Sequence, residues 1–191
     1  MTDPSPFDRA ALEQAFERLG SMALTAGKLV EISVYGGSAL VLTFPQRPAT
    51  RDVDAVFEAD REFVRRAVRL VGQELGWESD WLNDGVKGFL SYADSDPASK
   101  RLFRTYPSDG PAGLRVLVAS PAYLFAMKCL AMRAGGTGGP DDTQDVRRLA
   151  AALGIDSVNE AIAVVMRYYP AAALPPKTRF GLEEIFGEPG P

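Results

Sequence analysis

Two acidic residues one apart, Asp52-Val53-Asp54, are the part of this chain whose types and spacing point most directly to chemistry. On a strand, residues i and i+2 face the same way, so both carboxylates share a face and Val53 takes the other. Two anions so placed repel, and burying them without a cation is costly. Mg²⁺ resolves that conflict, because it takes one or two carboxylates and completes its octahedron with water and substrate phosphates. A second ion sharing the pair would activate an attacking hydroxyl. Upstream stands Tyr35-Gly36-Gly37-Ser38, where a strand ends and a helix begins. Glycines let a backbone approach a ligand closely. A helix N-terminus offers unsatisfied N–H groups and a positive dipole end to phosphate, and the Ser38 hydroxyl adds a donor. Either element alone is weak: solvated acids on an edge strand and strand–glycine–helix turns are both common. Together, one short helix apart, they place a phosphate cradle beside a metal pair.

The absences sharpen this reading. The 191 residues include no histidine and one cysteine, Cys129. That excludes Ser-His and Cys-His nucleophiles, histidine-bearing zinc sites and an internal disulfide. Cys129 lies in an apolar helical pattern and reads as a small buried hydrophobe. Catalysis then rests on Asp, Glu, Lys, Arg, Ser, Thr or Tyr, with carboxylates serving hard cations as the leading route. Apolar residues make up 46% and charged residues 24%, which suits a globular core. The net charge of −4 argues against coating nucleic acid by bulk charge but leaves room for a local basic patch. No apolar run approaches the length a bilayer needs, and the N-terminus has no apolar signal region, so no membrane partner and a cytoplasmic location are expected.

These residues need a scaffold. A helix is predicted over 8–19, stopped at Gly20, then a strand over 29–35, a short helix over 38–43 and a loop over 44–51. A second strand over 52–58 carries the two aspartates. An amphipathic helix over 60–75 follows, with Asp60 as cap and Phe63, Ala67, Leu70, Val71 and Leu75 as its inner stripe. Arg61, Arg65, Arg66 and Arg69 occupy its outer face. They read most simply as a solvated face, with an RNA-backbone contact as the functional alternative. Residues 81–84 read as a turn, 88–92, 102–106 and 115–118 as strands, and 94–100 as a loop. Ser120 caps a helix to about residue 133, with Pro121 at its first position. Residues 135–140 form a glycine-rich linker that lacks the order of a phosphate-binding P-loop. Helices follow over 142–153, over 157–168 with a Ser157/Glu160 capping box, and over 178–186. The expected fold class is therefore α/β (α+β): a mixed sheet flanked by helices over 1–118, then a C-terminal helical part over 119–191.

Gly36-Gly37-Ser38-Ala39-Leu40, followed by Arg47…Thr50-Arg51-Asp52-Val53-Asp54, resembles the G-S and D-x-D motif of the nucleotidyltransferase superfamily. Its particular form is similar to the AbiEii-like and DUF6036 group, which includes the MenT toxins of toxin–antitoxin pairs. The resemblance continues, in order, through Trp81-Leu82-Asn83-Asp84 with Lys87-Gly88-Phe89, and through Ala119-Ser120-Pro121 with Leu124, Ala126, Met127 and Lys128. It extends to Asp142 and Asp145-Val146, Tyr168-Tyr169-Pro170 and Leu174 to Arg179. It implies a nucleotidyltransferase fold and transfer of NMP from an NTP with Mg²⁺, or Mn²⁺ in its place. Gly36, Gly37 and Ser38 would hold the phosphates, Arg47 and Thr50 would line the nucleotide site, and Asp52 and Asp54 would bind the metal. Lys128 would neutralise the departing phosphates. Asp142 and Asp145 would orient Lys128 or serve as base. Read without the resemblance, Asp142 caps its helix, Asp145 sits in the first turn, and Lys128 is an exposed or partly buried helix lysine.

The resemblance also implies an acceptor at the tRNA 3′ end, growth arrest as the outcome and a cognate antitoxin protein as partner. One departure stands out. Many members carry a third metal-binding carboxylate on a later strand, and Leu114-Arg115-Val116-Leu117-Val118 has none. Two further readings follow: a nucleotidyltransferase acting on a protein or small molecule, and a catalytically decayed nucleotide-binding module.

Overall fold

The computed structural model describes residues 7–57, 59–132 and 140–187. It is an α/β protein with seven α-helices among the described residues, a mixed five-stranded sheet and C-terminal helices. The chain divides into two compact units: residues 1–88 with 100–119, and residues 89–99 with 120–191. The segment 89–99 thus groups with the helices, not with the sheet-bearing part between which it lies in sequence.

In the first unit, β1 (Phe7–Asp8) leads into α1 (Arg9–Thr25), whose cap is the Asp8 carboxylate accepting from the Ala11 N–H at 2.8 Å. The helix runs past Gly20, the expected stop. Gly20 is there because a Cβ would lie 2.5 Å from the Tyr106 carbonyl oxygen, so it is a packing glycine. The strands are β2 (Val30–Val34), β3 (Ala49–Thr50), β4 (Val53–Val56), β5 (Leu82–Asn83), β6 (Lys100–Tyr106) and β7 (Leu114–Ala119). The sheet order is β5-β4-β2-β7-β6, and β3 pairs apart with β1. β2 is parallel to β7 and antiparallel to β4, β4 is parallel to β5, and β6 is antiparallel to β7. Val30, Ile32 and Val34 of this interior strand are all buried.

Between β2 and β3 lies α2 (Gly36–Thr43), two residues longer at its start than expected. β4 is shorter than the predicted strand: Asp52 sits in the bend before it, exposed, while Val53 and Ala55 point into the core and Asp54 is half-buried. Asp52 thus lies just outside the strand ladder, while the alternation exposed, buried, half-buried, buried over residues 52–55 keeps Asp52 and Asp54 on the side away from the core.

After β4 comes α3 (Arg61–Leu75). Its buried stripe is Val64, Ala67, Val68, Val71 and Gly72, rotated from the expected set: Leu70 is 42% exposed. The stripe turns because the Trp81 indole donates to the Val68 carbonyl at 2.9 Å and fills the space beside Gly72. Asp60 precedes the helix in a left-handed conformation and makes no side-chain cap; its carboxylate pairs with Lys28 at 2.5 Å. Residues 81–84 supply β5 where a turn was expected, and residues 88–92 form no strand.

The second unit holds α4 (Pro121–Ala131), α5 (Pro140–Leu153), α6 (Val158–Met166) and α7 (Pro176–Phe186). Ser120 caps α4 by accepting from the Tyr123 N–H at 3.3 Å, and Ser157 caps α6 by accepting from the Glu160 N–H at 3.3 Å. Segment 89–99 is held by the Ser91 N–H donating to the Tyr123 hydroxyl at 2.7 Å and by the Tyr169 hydroxyl donating to the Phe89 carbonyl at 2.6 Å. Cys129 is fully buried, and burial pushes its thiol up well beyond the ordinary range, which suits a packing role. Residues 135–139 of the predicted linker lie outside the described residues. No single described helix is long and apolar enough to cross a membrane.

Candidate functional site

Strand pairing brings the two sequence motifs of the first unit together. Val34 of β2 is opposite Ala55 of β4, and one step further the Tyr35 N–H donates to the Asp54 carbonyl at 2.9 Å. Asp54 is thereby anchored beside the first residue of α2. Gly36 has φ +59°, a conformation L side chains rarely adopt, and a Cβ there would run into Asp54 Oδ2. Glycine is needed on both counts. At Gly37 a Cβ would lie 2.8 Å from Thr50 Oγ1 and 3.7 Å from an Arg47 guanidinium nitrogen. The backbone of the turn therefore abuts Asp54, Thr50 and Arg47 directly.

Thr50 is buried, and its hydroxyl donates to the Asp52 carbonyl at 3.2 Å, tying β3 to the bend that carries Asp52. Ser38 is also buried; its hydroxyl donates to the Tyr35 carbonyl at 2.9 Å. The first N–H groups of α2 have no intrahelical acceptor by helix geometry, and no side chain caps them at Tyr35. The result is a helix N-terminus with one carboxylate against its first residue and a second, exposed carboxylate in the adjoining bend.

The donor set suits Mg²⁺. Asp52 and Asp54 would supply two hard oxygen ligands, and the absent Gly36 Cβ lets the Asp54 carboxylate lie against the N-terminus of α2. Among the described residues no group of three or more acidic or soft ligands forms a closed metal cage.

A second cluster, described within the helical unit, gathers the other predicted residues. Lys128 of α4 is 14% exposed, and its ammonium lies 2.8 Å from Asp142 Oδ1 and 3.1 Å from Asp145 Oδ2, both on α5. Burial works against its charge, but the hydrogen bond it donates to Asp142 and the charges of Asp145 and Asp142 outweigh it and hold the pKa above the ordinary lysine value. Asp145 is wholly buried and bridges two cations, since the Arg148 guanidinium meets its other oxygen at 3.0 Å. Arg148 also donates to Gln144 Oε1 at 3.1 Å. The sequence reading omitted Arg148, although its i,i+3 spacing from Asp145 is a usable signal. Because α5 begins at Pro140, Asp142 lies inside its first turn and does not cap it, and Asp145 lies beyond the first turn.

A third group borders the first site. Asn83 of β5 is the register partner of Asp54. The next residue, Asp84, pairs with Lys87 and stands 3.7 Å from Arg65 of α3. The hydrogen bond from Lys87 leads the effects that hold the Asp84 carboxyl below the usual carboxylate range.

Comparison with protein-family models, with curated proteins and with solved structures finds no match. Function rests on the site itself.

Proposed function

We propose that the chain is a nucleotidyltransferase: it transfers NMP from an NTP to a hydroxyl acceptor, with the Gly36–Asp54 site holding the triphosphate. The observation that carries this reading is the Gly36 backbone, whose missing side chain is replaced by Asp54 Oδ2 at the N-terminus of α2. A glycine in a conformation reserved for glycine, facing a carboxylate, at a helix end suited to anions, joins phosphate binding and metal binding in one place. In the reaction the acceptor oxygen forms a bond to the α-phosphorus, the bond from that phosphorus to the bridging oxygen breaks, pyrophosphate leaves with the electron pair, and the hydroxyl proton is released. Bound Mg²⁺ would offset the charge that develops on the phosphates. The chain's own residues do the rest: N–H groups of Gly36, Gly37 and Ser38 orient the phosphates, Thr50 fixes the bend bearing Asp52, and Asp52 and Asp54 position the cation.

The resemblance supplies the acceptor, an RNA 3′ end of tRNA type, together with a role as toxin paired with an antitoxin protein. It also gives Lys128 the part of neutralising pyrophosphate, with Asp142 and Asp145 orienting it. Purified protein incubated with Mg²⁺, α-labelled NTPs and tRNA is the test. Labelled RNA is expected with at least one NTP, and Asp52→Ala is expected to abolish it. Label that persists in Asp52→Ala would refute the metal assignment. A second reading, a nucleotide-binding module without transfer, draws on the lack of any third acid at the site among the described residues. The labelling assay separates them: under the second reading Mg²⁺·NTP binds by calorimetry, yet no acceptor is labelled.

A further inference from the structure

The outer face of α3 carries Arg61, Arg65, Arg66 and Arg69, all exposed. With 1.5 Å rise and 3.6 residues per turn, Arg61, Arg65 and Arg69 follow one another at about 6 Å steps and stay within about 80° of the helix circumference. They form a gently turning row of arginines along the helix, a rail with Arg66 on its flank. Among the described residues Arg61, Arg66 and Arg69 pair with no acidic side chain, and Arg65 has only the 3.7 Å contact to Asp84. This contrasts with Arg9, Arg18 and Arg115 of the same unit, which pair with Glu13, Glu74 and Glu31. Lys87 pairs with Asp84, and among the described residues Glu62 and Asp60, the latter paired with Lys28, stand at the helix start beside Arg61.

Four of the chain's 21 lysines and arginines stand within nine residues of this one helix, and among the described residues three of the four pair with no acid. Guanidinium groups match phosphate oxygens in pairs, and a row at about 6 Å steps follows successive phosphates of a strand. A lipid surface is disfavoured, because the apolar face of α3 is already used: Val64, Ala67, Val68 and Val71 are buried in the unit's own core. The rail also borders the candidate site. Arg65 reaches Asp84, and Asp84 follows Asn83, the register partner of Asp54.

We propose that the Arg61-Arg65-Arg69 face of α3 is the docking surface for the phosphate backbone of an RNA acceptor. This rests on the nucleotidyltransferase reading for its choice of RNA, and it adds the surface that would hold the acceptor strand beside Asp54.

The test is fluorescence anisotropy of a labelled single-stranded RNA across a salt series, without nucleotide. The wild type is compared with a triple variant, Arg61→Gln, Arg65→Gln and Arg69→Gln. A charge-matched control carries Arg9→Gln, Arg18→Gln and Arg115→Gln. The rail variant is expected to lose at least about tenfold in affinity, and its log–log salt slope to fall by about 2. The control is expected to stay within about threefold of wild type, because its arginines are already neutralised by acids. Mg²⁺·NTP binding by calorimetry is expected to be equal in all three. The proposal is overturned if wild type binds no RNA at low salt, or if the rail variant keeps wild-type affinity. It is also overturned if the control loses as much, or if anionic phosphatidylserine vesicles depend on the rail and RNA does not. RNA binding by the rail with no Mg²⁺·NTP binding in wild type would refute the nucleotidyltransferase reading and leave the docking surface standing.

Discussion

Replacing Gly36 by alanine separates a backbone requirement from a steric one. Gly36 and Gly76 both have positive φ, +59° and +71°. An alanine at either meets the cost of the left-handed region, about 1–2 kcal/mol. For a chain of this size that is a fall in Tm of about 2–8 °C. At Gly76 nothing lies within 4 Å of the added Cβ, so Gly76→Ala reports the backbone cost alone. At Gly36 the Cβ collides with Asp54 Oδ2, so either the turn or the carboxylate must shift. Shifting it removes a charge-assisted contact worth about 1.5–3 kcal/mol to the ligand. The expected result is a loss of Mg²⁺·NTP affinity of about tenfold to a hundredfold in Gly36→Ala and none in Gly76→Ala. Thermal melts and calorimetry on the two variants measure both effects. Wild-type affinity in Gly36→Ala, or an equal loss in Gly76→Ala, would refute the argument that this turn and Asp54 form one site.

Other outcomes follow from the helical unit and the core. Asp145→Ala strands the Lys128 and Arg148 charges in a poorly solvated place and is expected to cost about 2–4 kcal/mol by urea denaturation. Asp142→Ala, at a carboxylate 36% exposed, is expected to cost about 1 kcal/mol or less. The folded pKa of Lys128 is raised above 10.5, so its stabilisation is fully present below that pH and is lost as pH rises through the folded value. The stability gap between wild type and Lys128→Met should therefore hold steady near neutrality and narrow only above pH 10.5, as read from denaturation midpoints in a pH series. The observed orientation of α3 makes Val68→Ala costly, about 1.5–3 kcal/mol, and Leu70→Ala mild, under about 1 kcal/mol; the reverse order would mean that the buried stripe is wrongly oriented.

Local chemistry was legible in the chain, and geometry that depends on distant partners was not. Ser120-Pro121 and Ser157…Glu160 announced helix starts because capping is settled within four residues. The outward arginines of α3 could be read because four charges cannot share its buried face. The inward side could not. Which apolar residues of a broad stripe are buried depends on what fills the facing space, and here Trp81 bonded to the Val68 carbonyl turns Leu70 outward. Asp60 looked like a cap, but Lys28, 32 residues earlier, takes its carboxylate. Gly20 looked like a stop, but it exists to let α1 meet the backbone at Tyr106.

The same division runs through the candidate sites. The residue types alone excluded histidine chemistry, and they singled out Gly36-Gly37-Ser38 and Asp52-Val53-Asp54 as the candidate place. The fold class was also within reach, since the order of strand and helix periodicities limits how layers can pack. Tertiary structure decided how the motifs meet. The β2–β4 register sets Asp54 against Gly36, and the end of the strand at Val53 leaves Asp52 in the bend before it. It also decided that Lys128, Asp142, Asp145 and Arg148 form one charge network, because α4 and α5 pack their facing sides together. A sequence sets which groups are available and their local conformational preferences; which of them touch is fixed only when the burial of distant segments selects one register and one helix orientation.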